Sequence, residues 1–230
     1  WPDGGGLFEQ GVDEAYIMGM WLAEGCFRQS RPTFIVLDQK KEVYLNKIIS
    51  ALDSLGWVYS KEKREDSGVT RIEVSGQKNR VSWMKENFGE YSHGKKLPVD
   101  LISKMTRKER EALFNGYMDG DGCWVGHPWH FGSISEDLVN SMQILALSLG
   151  YGTRKVSYDC MREGRTSTIR GRKSICKQFW RVHVHKKKPT AHIKKTRFEE
   201  QIVEDLPVYC VTTSTGYFMA RTNGKPFVAG

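Results

Sequence analysis

Two acids standing 97 residues apart (121 − 24) constrain this chain more than any other feature in it. Glu24 closes the run Ala15-Tyr16-Ile17-Met18-Gly19-Met20-Trp21-Leu22-Ala23-Glu24-Gly25. Asp121 closes Leu113-Phe114-Asn115-Gly116-Tyr117-Met118-Asp119-Gly120-Asp121-Gly122. Each run is an apolar helical stretch that ends on an acid followed by glycine. A carboxylate at the end of an apolar helix is costly unless a cation or hydrogen bonds meet it. A glycine inside a helix costs about 1 kcal/mol against alanine, and what it permits is close approach of another backbone. Gly19 and Gly116 each stand five positions before their acid (24 − 19 and 121 − 116). Helices crossing at these two interface glycines bring both acids to one end of a tight pair. Two carboxylates meeting there make a divalent-cation site whose oxygen ligands suit magnesium.

The surroundings of the two runs repeat as well. After a glycine-rich lead-in over 1–12, expected to be flexible, a helix is predicted from about 13 to 23. Strands follow near 26–29 and 33–38, and Val43, Tyr44, Ile48, Leu52 and Leu55 mark an amphipathic helix over about 40–55. A hairpin over 57–64 and 69–75 and a helix over 79–88 complete a first half of residues 13–94. Residues 95–105 read as a linker. The second half, 106–203, repeats the order: a motif helix over 106–119, strands near 123–125 and 129–134, and a helix over 136–149. A longer hairpin over 152–158 and 177–185 and a closing helix over 190–203 follow. Arg71-Ile72-Glu73-Val74-Ser75-Gly76-Gln77-Lys78 aligns with Arg181-Val182-His183-Val184-His185-Lys186-Lys187-Lys188 at an offset of 110. The extra 13 residues fall largely in the loop 159–176.

These paired runs resemble the twin motifs of LAGLIDADG homing endonucleases, over about residues 13–203, with glutamate where the first motif usually has aspartate. The resemblance implies an α+β fold of two pseudo-symmetric αββαββα halves, each with an antiparallel DNA-binding sheet, packed through the motif helices. It implies a site-specific double-strand DNA endonuclease acting as a monomer. Glu24 and Asp121 would be catalytic metal ligands, joined by the main-chain carbonyls of Ala23 and Gly120. Two or three magnesium ions would serve, with manganese or calcium able to substitute in binding. A basic residue near the metals is expected at Lys78 and Lys188. A polar water-positioning residue is expected at Gln39 and Ser135, with Asp38 competing for the first of these. The other readings are a non-cleaving DNA- or RNA-binding protein on the same scaffold, such as an intron maturase or regulator, and an intein fragment.

The hairpins carry charge in the pattern a duplex needs. Between Arg154 and Lys188 stand 12 basic residues against Asp159 and Glu163, a local balance of +10. The whole chain carries only +8, from 35 Lys and Arg against 27 Asp and Glu. Strand alternation turns Arg181, His183 and His185 one way, with Arg71, Glu73 and Ser75 their counterparts in the first half. A two-stranded ribbon with such a face fits a DNA major groove. The predicted DNA contacts are these residues with Arg28, Lys61, Lys63, Arg80, Arg154, Lys155, Arg170, Arg172, Lys173 and Lys186.

Composition narrows the rest. No apolar run reaches the roughly 20 residues of a membrane span, and no signal-peptide pattern opens the chain, so a membrane partner is not expected. Five cysteines without CxxC spacing disfavour zinc and a disulfide framework, and favour a reducing interior. The expected location is intracellular: the cytoplasm or nucleoid of a prokaryote or phage host, or an organelle. His93, His127, His130 and His192 form no ligand spacing. The tail over 204–230 alternates like strands and resembles the C-terminal splicing blocks of inteins. The chain opens on Trp1 in place of a Cys or Ser nucleophile and shows no terminal His-Asn pair. Self-splicing by this stretch is therefore not expected, although a splicing domain in a longer parent is.

Overall fold

The computed structural model describes residues 2–28, 30–126, 128–157, 166–169, 172–175, 178–186, 213, 218–222 and 225–229. At its centre helix α1 (Gly11–Glu24) packs along helix α5 (Arg107–Asp121). A Cβ on Gly19 would stand 2.1 Å from the Leu113 carbonyl oxygen, and one on Gly116 would stand 2.2 Å from that of Tyr16. Only glycine permits this approach, so the two helices cross at the predicted pair. Ile17, Met18, Met20, Trp21 and Leu22 are all buried, as are Leu113, Phe114, Tyr117 and Met118. Both helices are therefore apolar on more than one face, because other elements cover them.

The first half follows the order αββαββα. Helix α1 leads to β1 (Gly25–Arg28) and β2 (Arg31–Gln39), then α2 (Glu42–Ser54), β3 (Tyr59–Lys63), β4 (Thr70–Val74) and α3 (Lys78–Phe88). Its four strands form one antiparallel sheet in the order β1-β2-β4-β3. Ile35, Leu37, Ile72 and Val74 are buried against the helices.

The second half reuses this plan with differences. Helix α4 (Val99–Lys104) forms within the expected linker, and α5 follows directly. The strand predicted near 123–125 reduces to a single bridge between Cys123 and His130. Strand β5 (Trp129–Ser133), helix α6 (Glu136–Ser148), β6 (Gly152–Ser157) and β9 (Trp180–His185) come next, the strands ordered β5-β9-β6. Between β6 and β9 the long loop carries a hairpin of its own, β7 (Thr166–Ile169) with β8 (Arg172–Ile175). In the tail, β10 (Phe218–Thr222) pairs with β11 (Lys225–Ala229). The predicted closing helix over 190–203 lies outside the described residues.

The lead-in makes contacts that its glycines conceal. The amides of Gly4 and Gly6 donate to the carbonyls of Met105 and Lys104 at 3.1 and 3.0 Å. Those of Leu7 and Phe8 donate to Glu109 Oε1 at 3.1 and 2.8 Å. Glu109 also closes the capping box of α5: its Oε2 accepts from the Thr106 amide at 2.7 Å, and the Thr106 hydroxyl accepts from the Glu109 amide at 3.2 Å. Phe8 is buried in the core.

Candidate metal centre and nucleic-acid interface

Because the glycines set the crossing, Glu24 and Asp121 arrive together as the last residues of α1 and α5. Gly120 packs against the end of α1 so closely that a Cβ would lie 2.4 Å from Ala23 Cβ and 3.2 Å from Glu24 Cγ. Both acids open to solvent on one side while protein crowds the others. Burial raises the Asp121 carboxyl to about 7, the charge of Glu24 adds to the rise, and Lys95 opposes it. Burial raises Glu24 too, with Lys95 again the first opposing charge. Two like charges held at the edge of an apolar core therefore call for a cation.

The protein supplies one itself. Lys95 is buried, and its ammonium donates to the carbonyls of Trp21 at 2.8 Å, Leu22 at 3.0 Å and Gly25 at 2.8 Å. It also lies over the Trp21 ring, 4.6 Å from the centroid. The last carbonyls of a helix lack intrahelical donors, so an ammonium at the C-terminus of α1 is favoured by both hydrogen bonding and the helix dipole. Burial lowers the Lys95 pKa to about 8, against the pull of Asp121, Cys26 and Glu24. Its main-chain oxygen accepts a hydrogen bond from the Ser135 hydroxyl, which also caps α6 by accepting from the Leu138 amide at 3.2 Å. Sequence reasoning missed Lys95, because a lysine between Gly94 and Pro98 shows no periodicity and looks like any loop residue.

Lys78 is placed elsewhere. It is the exposed first residue of α3, next to the turn in which Arg80 pairs with Glu14 at the start of α1. Glu24 lies ten helical steps beyond Glu14 (24 − 14), roughly 15 Å of rise. The offset-110 alignment matched strand ends correctly but could not see that the chain must travel farther, past α3, to reach the acids. Lys188 lies outside the described residues.

Gln39 is buried and acts as a local brace, since its side-chain oxygen accepts from the amides of Lys40 and Lys41 at 2.9 and 2.8 Å, at the entry to α2. Asp38 is the member of that pair whose charge reaches Glu24. For a divalent ion the available donors are all hard oxygens: the carboxylates of Glu24 and Asp121 and the last-turn carbonyls of Ala23 and Gly120. That set fits a magnesium-type cation. Among the described residues no group of three His, Cys, Asp or Glu side chains comes together.

Each sheet has an open face. In the first, Arg71 donates to both oxygens of Asp38 at 2.8 and 2.7 Å. Glu73 is buried beneath Arg28, and Arg31 donates to its other oxygen at 3.1 Å. Glu73 is thus held as an anchor for the two arginines. Lys61 and Lys63 pair in register with Ile72 and Thr70, so they lie on the opposite face from Arg71, exposed on an edge strand. Ser75 donates to the Val58 carbonyl at 3.3 Å. Arg80 belongs to the helix layer, bound to Glu14 and lying 4.7 Å from the Trp57 ring centroid.

In the second sheet the register places His130, His183 and Arg154 in one row and Gly132, Arg181 and Val156 in the next. Exposed His185 and Lys186 continue that strand. Lys155 faces the other way: it donates to Glu136 at 2.6 Å and Asn140 at 2.8 Å, over the Trp180 ring. Arg172 and Lys173 belong to β8, and Arg170 lies outside the described residues. Among the described residues no helix is long and apolar enough to cross a membrane.

A family model described as a LAGLIDADG-like domain matches residues 11–86 and 108–188. A DNA polymerase of Thermococcus sp. (strain GE8) is 27% identical over 158 residues, which is 66% of this chain and 9% of that protein. The DNA-directed RNA polymerase subunit Rpo1C of Methanocaldococcus jannaschii is 27% identical over 110 residues, 48% of this chain and 12% of that protein. The chain thus spans about a tenth of the length of these curated relatives. Among solved structures, I-DmoI in complex with DNA and Ca is 14% identical, with a TM-score of 0.49, over 77% of this chain and 84% of that one.

Proposed function

The chain belongs to the LAGLIDADG-like domain family, and from that premise we propose that it is a metal-dependent endonuclease that cuts both strands of a long DNA site. The observation that carries this reading is the convergence of Glu24 and Asp121 at one end of the glycine-crossed helices. A scaffold used only for binding has no need to crowd two raised carboxylates together at the edge of its core. Glu24 and Asp121 would hold divalent ions, with Ala23 and Gly120 adding carbonyl oxygens. A bound divalent ion supplies charge stabilisation at the scissile phosphate and makes bound water a better nucleophile.

The chain's own residues do the rest. Lys95 holds the C-terminal turn of α1 in place, so that Glu24 projects at a fixed position, and it offsets part of the acids' mutual repulsion. Ser135 fixes the main chain of Lys95 from the second half. Arg71 and Arg28 on the first sheet, and Arg154, Arg181, His183, His185 and Lys186 on the second, would track the duplex. Lys78 and Gln39 are not part of this machinery. Both halves reside in one chain, so a monomer suffices, and a DNA substrate places the work inside a cell. The small share of its polymerase-named relatives that the chain covers supports a further reading, that it is an inserted nuclease module of a longer parent with the tail belonging to a splicing domain.

Incubating the protein with a randomised duplex library and magnesium, then sequencing the cut ends, tests the reading. A recurrent cut sequence that disappears with EDTA is expected. Tight binding of a defined duplex with no cutting in magnesium or manganese would instead select the non-cleaving regulator or maturase.

A further inference from the structure

The two open faces differ in what balances their charge. On the first sheet Asp38 and Glu73 accept hydrogen bonds from Arg71, Arg28 and Arg31. Strands β5, β6 and β9 contain no aspartate or glutamate at all. Their open face instead carries His130 and His183 as direct cross-strand partners, rings 6.3 Å apart, with Arg154 next in the row. Arg181 and His185 flank His183 along β9, and the Cys123 bridge flanks His130 on its other side. The helix side of this sheet is built from Trp129, Phe131, Val182 and Val184, with Lys155 bound to α6. Among the described residues, the groups whose charge acts on the two rings are Arg154, Arg181 and His185, besides the rings themselves.

Burial and those neighbours both favour the neutral imidazole while no DNA is present. Burial lowers the pKa of both rings, with Arg181 lowering His130 further and His130, Arg181, His185 and Arg154 lowering His183. Among the described residues, His183 Nδ1 is enclosed without a hydrogen-bond partner. Phosphates laid across this face would reverse the field. An imidazole then gains by taking a proton from solvent, and rotation about χ2 lets either nitrogen reach the backbone.

Resting on the proposed DNA-binding reading, we propose that His130 and His183 form a proton-accepting contact for the DNA backbone, so that docking of the second half is coupled to proton uptake while docking of the first half is not. The first sheet has no equivalent: its arginines stay charged at every working pH.

The test uses the full chain with calcium and a duplex enriched by binding from a randomised library. Affinity is measured against salt at pH 6 and pH 8, and proton uptake is read by calorimetry in two buffers of different ionisation enthalpy. Proton uptake should accompany binding near neutral pH, and the log–log salt slope should steepen by about 0.9 for each imidazole that becomes charged. His130→Gln with His183→Gln should cut the proton uptake and remove the steepening of the slope, lowering affinity more at pH 6 than at pH 8. Imidazole NMR signals that move toward the protonated form on adding duplex would agree. Tight binding with equal slopes at both pH values overturns the proposal and leaves the DNA reading standing. Proton uptake as large in the folded double variant as in the parent also overturns it. Failure to bind any duplex at either pH removes both.

Discussion

The ammonium of Lys95 donates to the carbonyl of Gly25 at 2.8 Å, one residue beyond the acid that ends α1. Through that bond and its partners on Trp21 and Leu22, a residue from the segment between the halves ties down the end of the first motif helix.

Lys95→Met should therefore lower single-turnover cleavage by about 10²–10³-fold, in the range seen when one electrostatic contributor is removed from an active site. With its opposing charge gone, Asp121 should hold its proton to a higher pH, so the rate profile should shift to the alkaline side. A merely structural role would lower stability without moving that profile. Lys78→Met, at the far end of α3, should cut at the parental rate. Timing nicked and linear plasmid for both variants across pH checks the pair, and a slow Lys78→Met with a normal Lys95→Met would reverse the assignment.

Gly19→Ala and Gly116→Ala probe the crossing. Each new methyl would meet a backbone carbonyl oxygen of the opposite helix at 2.1–2.2 Å, and backbone cannot step aside as a flexible side chain can. Overpacking of this kind costs about 1–3 kcal/mol, or roughly 2–12 °C of Tm for a chain of this size. The helices must also part, which separates the acids, so cutting should fall more than stability predicts. Thermal melts beside cleavage assays decide this, and an unchanged Tm in both variants would show that the two backbones do not meet at these glycines.

What the sequence made legible was what repeats. The glycine spacing, the two acids and the alternation of Arg71 with Ile72 all follow local periods of 3.6 or 2, and these predicted the crossing helices and the faces of both sheets. What it hid was set by single contacts across long separations. Lys95 reaches back 70 residues to Gly25 (95 − 25), and Glu109 reaches 101 to Phe8 (109 − 8). Neither leaves a periodic trace. Glu73 and Lys155 show a related limit of periodicity: alternation gives the face a side chain takes, not whether a partner there already holds it. For Lys155 the strand order was needed even to find the face.

Glu109→Ala should be among the more damaging single changes away from the acids. It leaves the amides of Leu7, Phe8 and Thr106 without their acceptor and breaks the capping box. Loss of a cap costs about 1 kcal/mol and each stranded buried donor about 1–3 kcal/mol, with partial relief where water enters. A net loss of about 2–4 kcal/mol is expected in urea melts. Deleting residues 1–8 should cost at least as much as this variant, because it also removes the buried Phe8 side chain from the core. A shortened chain that unfolds clearly later than Glu109→Ala would contradict that ordering.

Asp121→Asn separates function from stability. In the folded chain the Asp121 carboxyl is raised from 3.8 to about 7, mainly by burial and then by Glu24. The folded state therefore binds its proton more tightly than the unfolded state does. The stability this adds is fully present below about pH 4 and is lost as pH rises through 7, where the folded chain must carry a crowded charge. Asparagine has nearly the same shape and no charge to crowd. In metal-free buffer with EDTA the variant should melt above the parent near pH 8, and the gap should close as pH falls toward 4. Lys95 tempers the gain, since removing Asp121 takes away the first of the charges that sustain its ammonium. Adding magnesium should then raise the parent's Tm and leave the variant's almost unmoved, because one of the two carboxylate ligands is gone. Cleavage should be abolished while duplex binding persists. A variant that melts below the parent at pH 8 without metal would mean that Asp121 is held by structural hydrogen bonds, and the reading of the two acids as a cation site would fall with it.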